Sequence, residues 1–218
     1  MRFVLAHYHF TEHWATAAGL VPPPLGYGGR ANSWSVQPGK YLQSIRRRSN
    51  GQMDVGTVFW SPARPVLWDI DARRVEVSRA AVLVSGFYIE VDDSWRYFAA
   101  PGDEPFFLAA AGGDKAVALL GWAPGGDAGG MPAIVLAEDA VHWAAEEGTA
   151  ADAFKGLQRW TAEAFRYWPV LSPIDRLPPR EGDDASILAP VLDPPHERTR
   201  PMYRRRSVSS AGRGRSAT

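Results

Sequence analysis

The sequence predicts an α+β fold in one domain, an antiparallel β-meander sheet covered by a C-terminal helix, with a disordered C-terminal tail. Three observations carry that expectation. All nine tryptophans lie between Trp14 and Trp168, and because large aromatics supply much of the area a core can bury, the packed part should end soon after Trp168. From Met53 to Ala137, short β-forming runs follow one another closely, parted by Gly and Asp residues that tolerate the positive φ of tight turns. After Glu138 the apolar spacing becomes that of helices. At 218 residues and 45% hydrophobic composition, the chain suffices for one well-buried core. The boundary is drawn at Leu177, giving a domain over residues 1–177 and a tail over 178–218.

Taken in order, residues 3–10 alternate as a strand does. Phe3, Leu5, His7 and His9 share one face, and Val4, Ala6, Tyr8 and Phe10 share the other. Both faces are partly apolar, which predicts an inner strand. Thr11 is placed to cap a short helix that ends at Gly19, and the three prolines of "VPPPLGYGG" forbid its continuation, leaving 22–33 as a loop. "GKYLQSIRRRSNG" predicts a short helix with Tyr41, Leu42 and Ile45 inward, stopped by Asn50 and Gly51. The strand series then runs "VGTVFW", "RPVLWDID", "RRVEV", "AVLVSGFYIEV", "SWRYFAA", "EPFFLAAAGG", "KAVALLGWAP" and "MPAIVLA". Links as short as "DD", "PGD" and "GGD" make neighbours antiparallel, since a parallel pair needs a crossover of about a dozen residues or more. Two helices are expected at the end, "AEDAVHWAAEEG" and "TAADAFKGLQRWTAEAFRYW". Thr149 caps the second, Phe154, Leu157, Thr161, Phe165 and Trp168 form its inward stripe, and Pro169 and Pro173 end it.

Beyond Leu177 stand six prolines and a single aromatic, Tyr203. Such a stretch buries too little apolar surface to offset its ordering entropy, so it is expected to be disordered. "ASILAPVL" (185–192) is its one apolar segment, suited to docking on a partner or on the body.

Composition narrows function. The chain has no cysteine, which excludes disulfides, thiolate metal sites and cysteine nucleophiles, and fits a cytoplasmic protein. His7 and His9 interrupt the apolar N-terminal stretch before a signal-peptide core is complete, and no run nears the roughly 18 apolar residues of a spanning helix, so no membrane partner is expected. The tail holds eight Arg against five acids, and the formal charge of the whole chain is zero, so the body is acidic by the same small margin. Arg204 to Arg206 make weak nucleic-acid contact through the tail conceivable, but the broad basic face of a dedicated binder is missing.

The stretch "HYHFTEHW" concentrates three of the five histidines. His7 and His9 point the same way from a strand, a geometry suited to one metal ion, with Asp69, Asp71, Glu90 or Asp92 as oxygen donors from neighbouring strands. H-x-H at the end of a first strand resembles the metal-dependent amidohydrolase and polymerase-histidinol-phosphatase families, which implies a metal-dependent hydrolase using His7 and His9. Those folds are barrels of about 250 residues with further histidines spread along the chain, whereas only His142 and His196 remain here. "YHFT" with "GLVP", and "RPVLWDIDARRV" further on, resemble ADP-ribosyltransferases of the RNA 2'-phosphotransferase and DNA-modifying kinds. That resemblance spans about a third of the chain. It implies an NAD-dependent enzyme in which His9 holds the nicotinamide ribose, Tyr41 stacks on the nicotinamide and Glu90 polarises the acceptor.

"GGDAGG" lacks the Lys-Ser/Thr of a phosphate-binding loop, and no G-x-S-x-G elbow is present. Because no complete catalytic constellation can be assembled, the leading expectation is a non-enzymatic module that binds a protein partner, with Tyr27, Trp34 and Trp95 as its aromatic anchors. Packing is the simpler account of the histidines.

Overall fold

The computed structural model describes residues 3–7, 33–48, 50–71, 76–91, 94–113, 115–123 and 130–170. The helix and loop expected between Thr11 and residue 32, and the tail from residue 178, lie outside the described residues. Within them, thirteen strands join one mostly antiparallel sheet curled into a half-barrel, with few helices.

The organising element is β6 (Glu76–Val91), a 16-residue strand. The runs "RRVEV" and "AVLVSGFYIEV" suggest two strands here, and the ladder instead carries unbroken through the stretch 78–80 between them. One edge of β6 takes β1 (Phe3–His7), β3 (Tyr41–Arg47) and β12 (Glu147–Thr149). The other edge takes β7 (Ser94–Ala99) and then β8 (Phe106–Gly112), placed end to end. "PGD" between those two strands is therefore a jog along one edge of β6 rather than a hairpin turn.

Hairpins do form where short links were expected. Val91 pairs with Ser94 between β6 and β7, and Gly112 with Val117 between β8 and β9 (Val117–Trp122). Met131 pairs with Trp122, joining β10 (Met131–Pro132) to β9. β1 lies between β6 and β2 (Ser33–Val36), an inner strand as its two-sided apolar pattern predicts. β5 (Val66–Trp68) departs from a meander by running parallel to β9. β11 (Ile134–Val135) completes the edge of β8.

The segment expected as a helix near residue 41 is instead β3, paired along its length with β4 (Met53–Phe59). Leu42, Gln43, Ser44 and Ile45 are all buried, so apolar Leu42 and Ile45 serve the two faces of a strand, and an i, i+3 pair fits both periods.

The long C-terminal helix is also absent. α1 (Ala140–Ala145) and α2 (Ala150–Lys155) are six residues each, and after Gly156 the chain passes through a short 3-10 turn into β13 (Arg166–Val170), paired with β7. Phe165 and Trp168 still face inward as the stripe proposed, but from extended backbone. Pro169 is accommodated because, among the described residues, β13 has a neighbour on one side alone, and on an open side a missing N–H costs no ladder bond.

Both faces of the sheet are packed. Ala81, Leu83, Ile45, Phe107, Ala109 and Leu120 form one core with Trp143, Ala144 and Phe154 of the two helices. Ala80, Val82, Val84, Leu108, Leu119, Val58 and Trp60 form a second on the other face. The parity of β6 changes at Ser85. Before it, even-numbered residues face the second core; after it, Phe87 and Ile89 do. Ser85 is the extra residue of a β-bulge, for Ala6 pairs with Gly86 and His7 with Val84. A third cluster, with Tyr88, Trp95 and Tyr97, packs Val4 and Ala6 on the face opposite Phe87.

Thr149 caps α2 as expected. Its hydroxyl oxygen accepts from the Asp152 backbone N–H at 3.1 Å and donates to Asp152 Oδ2 at 2.6 Å. The Lys155 ammonium, 2.6 Å from Asp152 Oδ1, together with that hydroxyl, lowers the Asp152 carboxyl to a pKa of about 2. With the folded pKa below the ordinary carboxylate value, the interaction is in place at neutral pH and fades only as pH falls from about 4 toward 2. A carboxyl-carbon NMR titration should therefore give Asp152 a midpoint near 2, and Lys155→Met should move it back toward the ordinary range. An unshifted midpoint in the wild type would contradict the contact.

Candidate functional site

Among the described residues, the backbone register sets the position of His7 apart from that of Glu90. His7 ends β1, its backbone opposite Val84, while Glu90 lies six residues further along β6 and pairs with Trp95. At roughly 3.3 Å per residue that separation is about 20 Å. On that ladder Glu90 is therefore not a cross-strand neighbour of His7. His9 and Asp92 lie outside the described residues.

Asp69 is committed elsewhere: its Oδ1 accepts from the Ala123 backbone N–H at 2.8 Å. Among the described residues no group of three or more His, Cys, Asp or Glu side chains is placed to hold a metal ion. The pairs Asp69/Asp71 and Glu90/Asp92 are also not two-acid strand faces of one kind, since residues 69–71 form a 3-10 turn.

Of the proposed anchors, Trp95 is corrected. It is 1% exposed and lies in the third core cluster with Tyr88 and Tyr97. Trp34 is half-buried against the same cluster. Tyr27 lies outside the described residues.

The aromatics that reach solvent are others. Tyr41, put forward as a nicotinamide stacker, is 68% exposed at the start of β3. Its ring rests on Phe59 with centroids 5.3 Å apart. The platform beneath is rigid, since Gly39 N–H donates to Trp60 O at 2.8 Å and Trp60 N–H donates to Lys40 O at 2.9 Å. Gly39 has φ +90°, a left-handed conformation that suits glycine in this turn. Tyr167, 50% exposed on β13, stacks on Phe98 at 5.4 Å. Its exposure follows from its place on this strand. Among the described residues β13 pairs with β7 alone, leaving its outer edge open.

A polar cleft of about 150 Å³ opens on the opposite part of β6, lined by Arg47, Arg48, Ser78, Arg79, Glu146 and Glu147. Arg79 is only 7% exposed. Its guanidinium donates to Glu146 and stands 5.1 Å over the Trp143 ring. Arg47 pairs with Glu147 at 2.6 Å, and His142 Nε2 lies 3.3 Å from the other oxygen of Glu146. Each cation facing this cleft has a carboxylate beside it, Arg48 pairing with Asp54 at 2.7 Å. Such a balanced network fixes β12 and α1 against the sheet.

This curled sheet defines the class of fold to which the chain belongs, and solved structures share it. A protein from Bacteroides thetaiotaomicron superposes with a TM-score of 0.63 at 11% identity, covering 88% of this chain and 100% of that one. A phage-related protein from Bordetella bronchiseptica gives 0.57 at 14% identity, covering 77% and 93%. A second Bordetella bronchiseptica protein gives 0.54 at 12%, covering 78% and 100%. At these identities the likeness is one of fold alone. No protein-family profile matches the sequence, and no curated protein does.

Proposed function

We propose that the chain is a non-enzymatic module that binds a protein partner through exposed, ring-supported tyrosines. The observation that carries this reading is Tyr41, a large aromatic held in the open by Phe59 and by a braced turn. A tyrosine fixed in this way loses little conformational entropy on docking and offers an apolar face with a polar tip, the character of a binding hot spot. Tyr167 beside the open edge of β13 supports it further, because an extended segment of a partner can add to such an edge. The metal reading that would add Glu90 to His7 is the less favoured, since six residues of β6 part their positions on the ladder.

The test compares partners retained by wild-type protein with those retained by Tyr41→Ala and Tyr167→Ala, each first shown to melt like the wild type. Loss of a shared partner, with at least tenfold weaker binding measured on the purified pair, is the expected outcome, in the range of a truncated hot spot. Retention of every partner by both variants overturns the reading. So does saturable binding of NAD or of Zn²⁺ that vanishes in His9→Ala.

A further inference from the structure

The loop Ser61–Pro65 is braced at every turn. Trp60, fully buried, donates its indole N–H to Pro65 O at 2.8 Å. Arg64 N–H donates to Ser61 Oγ at 3.2 Å. Ser61 N–H donates to Val117 O at 2.9 Å, and Leu119 N–H to Pro65 O at 3.0 Å. Pro62 and Pro65 fix φ at two of its five positions. The loop is thereby pinned against β9, on the side where β5 runs parallel to it.

Against this loop lies a cleft of about 250 Å³. Its walls are Leu67 and Val77 together with Ala111, Ala116, Ala118 and Ala150. Space exists there because four alanines stand where larger side chains would fill it. Its polar side-chain lining comes from Ser61 and Arg64, and among the described residues no acidic one lines it. Arg64 is exposed and has no ion-pair partner among the described residues, unlike Arg47, Arg48 and Arg79. A pre-formed apolar cavity with one convergent cation has the composition of a small-ligand site.

We infer that this cleft binds a small amphipathic carboxylate, its apolar body against the alanine walls and its anionic group on Arg64. The site is separate from the tyrosines invoked for partner binding. The volume limits the ligand to a body of about a dozen heavy atoms, near the lower end of ligand pockets. The fixed loop holds the Arg64 backbone in place before the ligand arrives, which lowers the ordering cost of binding.

The test uses hexanoate, octanoate, the neutral octanol and the short anion acetate, titrated by calorimetry and by methyl NMR into the full chain. Octanoate should bind saturably, more tightly than hexanoate by about fourfold per methylene, with acetate undetectable. Arg64→Gln should weaken octanoate about five- to tenfold and leave octanol unchanged, as expected for one partly exposed charge-assisted contact. Ala116→Leu, at the rim, should block both. If that variant does not fold, wild-type methyl shifts decide the matter: perturbation by octanoate centred on Ala111, Ala116 and Ala118 supports the site. No saturable octanoate binding, equal binding of octanol, an unchanged affinity in Arg64→Gln, or shifts centred elsewhere would each overturn it.

Discussion

Gly86→Ala is expected to destabilise the protein by roughly 3 kcal/mol, the upper part of the range for overpacking a rigid interior. A Cβ built at this position would stand 2.3 Å from Tyr97 Oη and 2.5 Å from the Phe98 backbone oxygen. The phenol could swing aside only by leaving the buried cluster that holds it, and the carbonyl belongs to the β6–β7 ladder. Space, not backbone conformation, is what the position demands, as Gly86 is not among the glycines with positive φ. The bulge around it is tied down as well. Tyr97 donates its hydroxyl to Ser85 O, and Ser85 donates its own to Ala6 O, both at 3.2 Å. For a domain of this size the loss corresponds to a melting temperature lower by roughly 6–12 °C. A calorimetric shift under about 2 °C would mean that the strand pair separates more easily than this packing allows. Tyr97→Phe in the same background should recover only part of the loss, since the Phe98 carbonyl still obstructs.

The second large effect concerns the Arg79–Glu146 pair, where two substitutions should part company. Glu146→Gln leaves the buried guanidinium without its counter-charge and is expected to cost about 2 kcal/mol. That is below the 3–5 kcal/mol of a wholly buried pair, because Glu146 is itself half-exposed and water can partly take its place. Arg79→Met keeps the volume against Trp143 and removes the charge, so it should change stability by less than about 1 kcal/mol in either direction. Urea unfolding of both variants decides the point. Equal losses would show that the arginine contributes mainly by its packing over the indole, and a larger loss in Arg79→Met would contradict the account.

How far the sequence foretold these features depends on the range of the interaction. The β-rich body, the inner position of β1, the hairpins after Val91 and Gly112 and the Thr149 cap were all legible, since each depends on neighbours in the chain. β3 was misread as a helix because its apolar residues sit three apart, and nothing local reveals that Arg46 pairs with Ala80. The last helix was cut short for a similar reason. Residues 157–170 carry helical spacing, but pairing of β13 with β7 overrides propensity, and Pro169 was the local sign that extended backbone was acceptable. Exposure was the least legible property. Trp95 and Tyr41 look alike in sequence, yet the first packs into the cluster with Val4, Tyr88 and Tyr97, while the second faces solvent at the mouth of a turn. The Arg79–Glu146 pair spans 67 positions and leaves no local trace.

The way β6 gathers its neighbours also bears on how the molecule comes together. Its ladder partners come from residues as early as Phe3 and as late as Thr149. Two loops, one of about 80 residues and one of about 70, must therefore close before that edge of the strand is lined, an entropic toll levied ahead of any reward. Assembly should accordingly await release of nearly the whole body from the ribosome, with the half-built spine a sticky template in the interval.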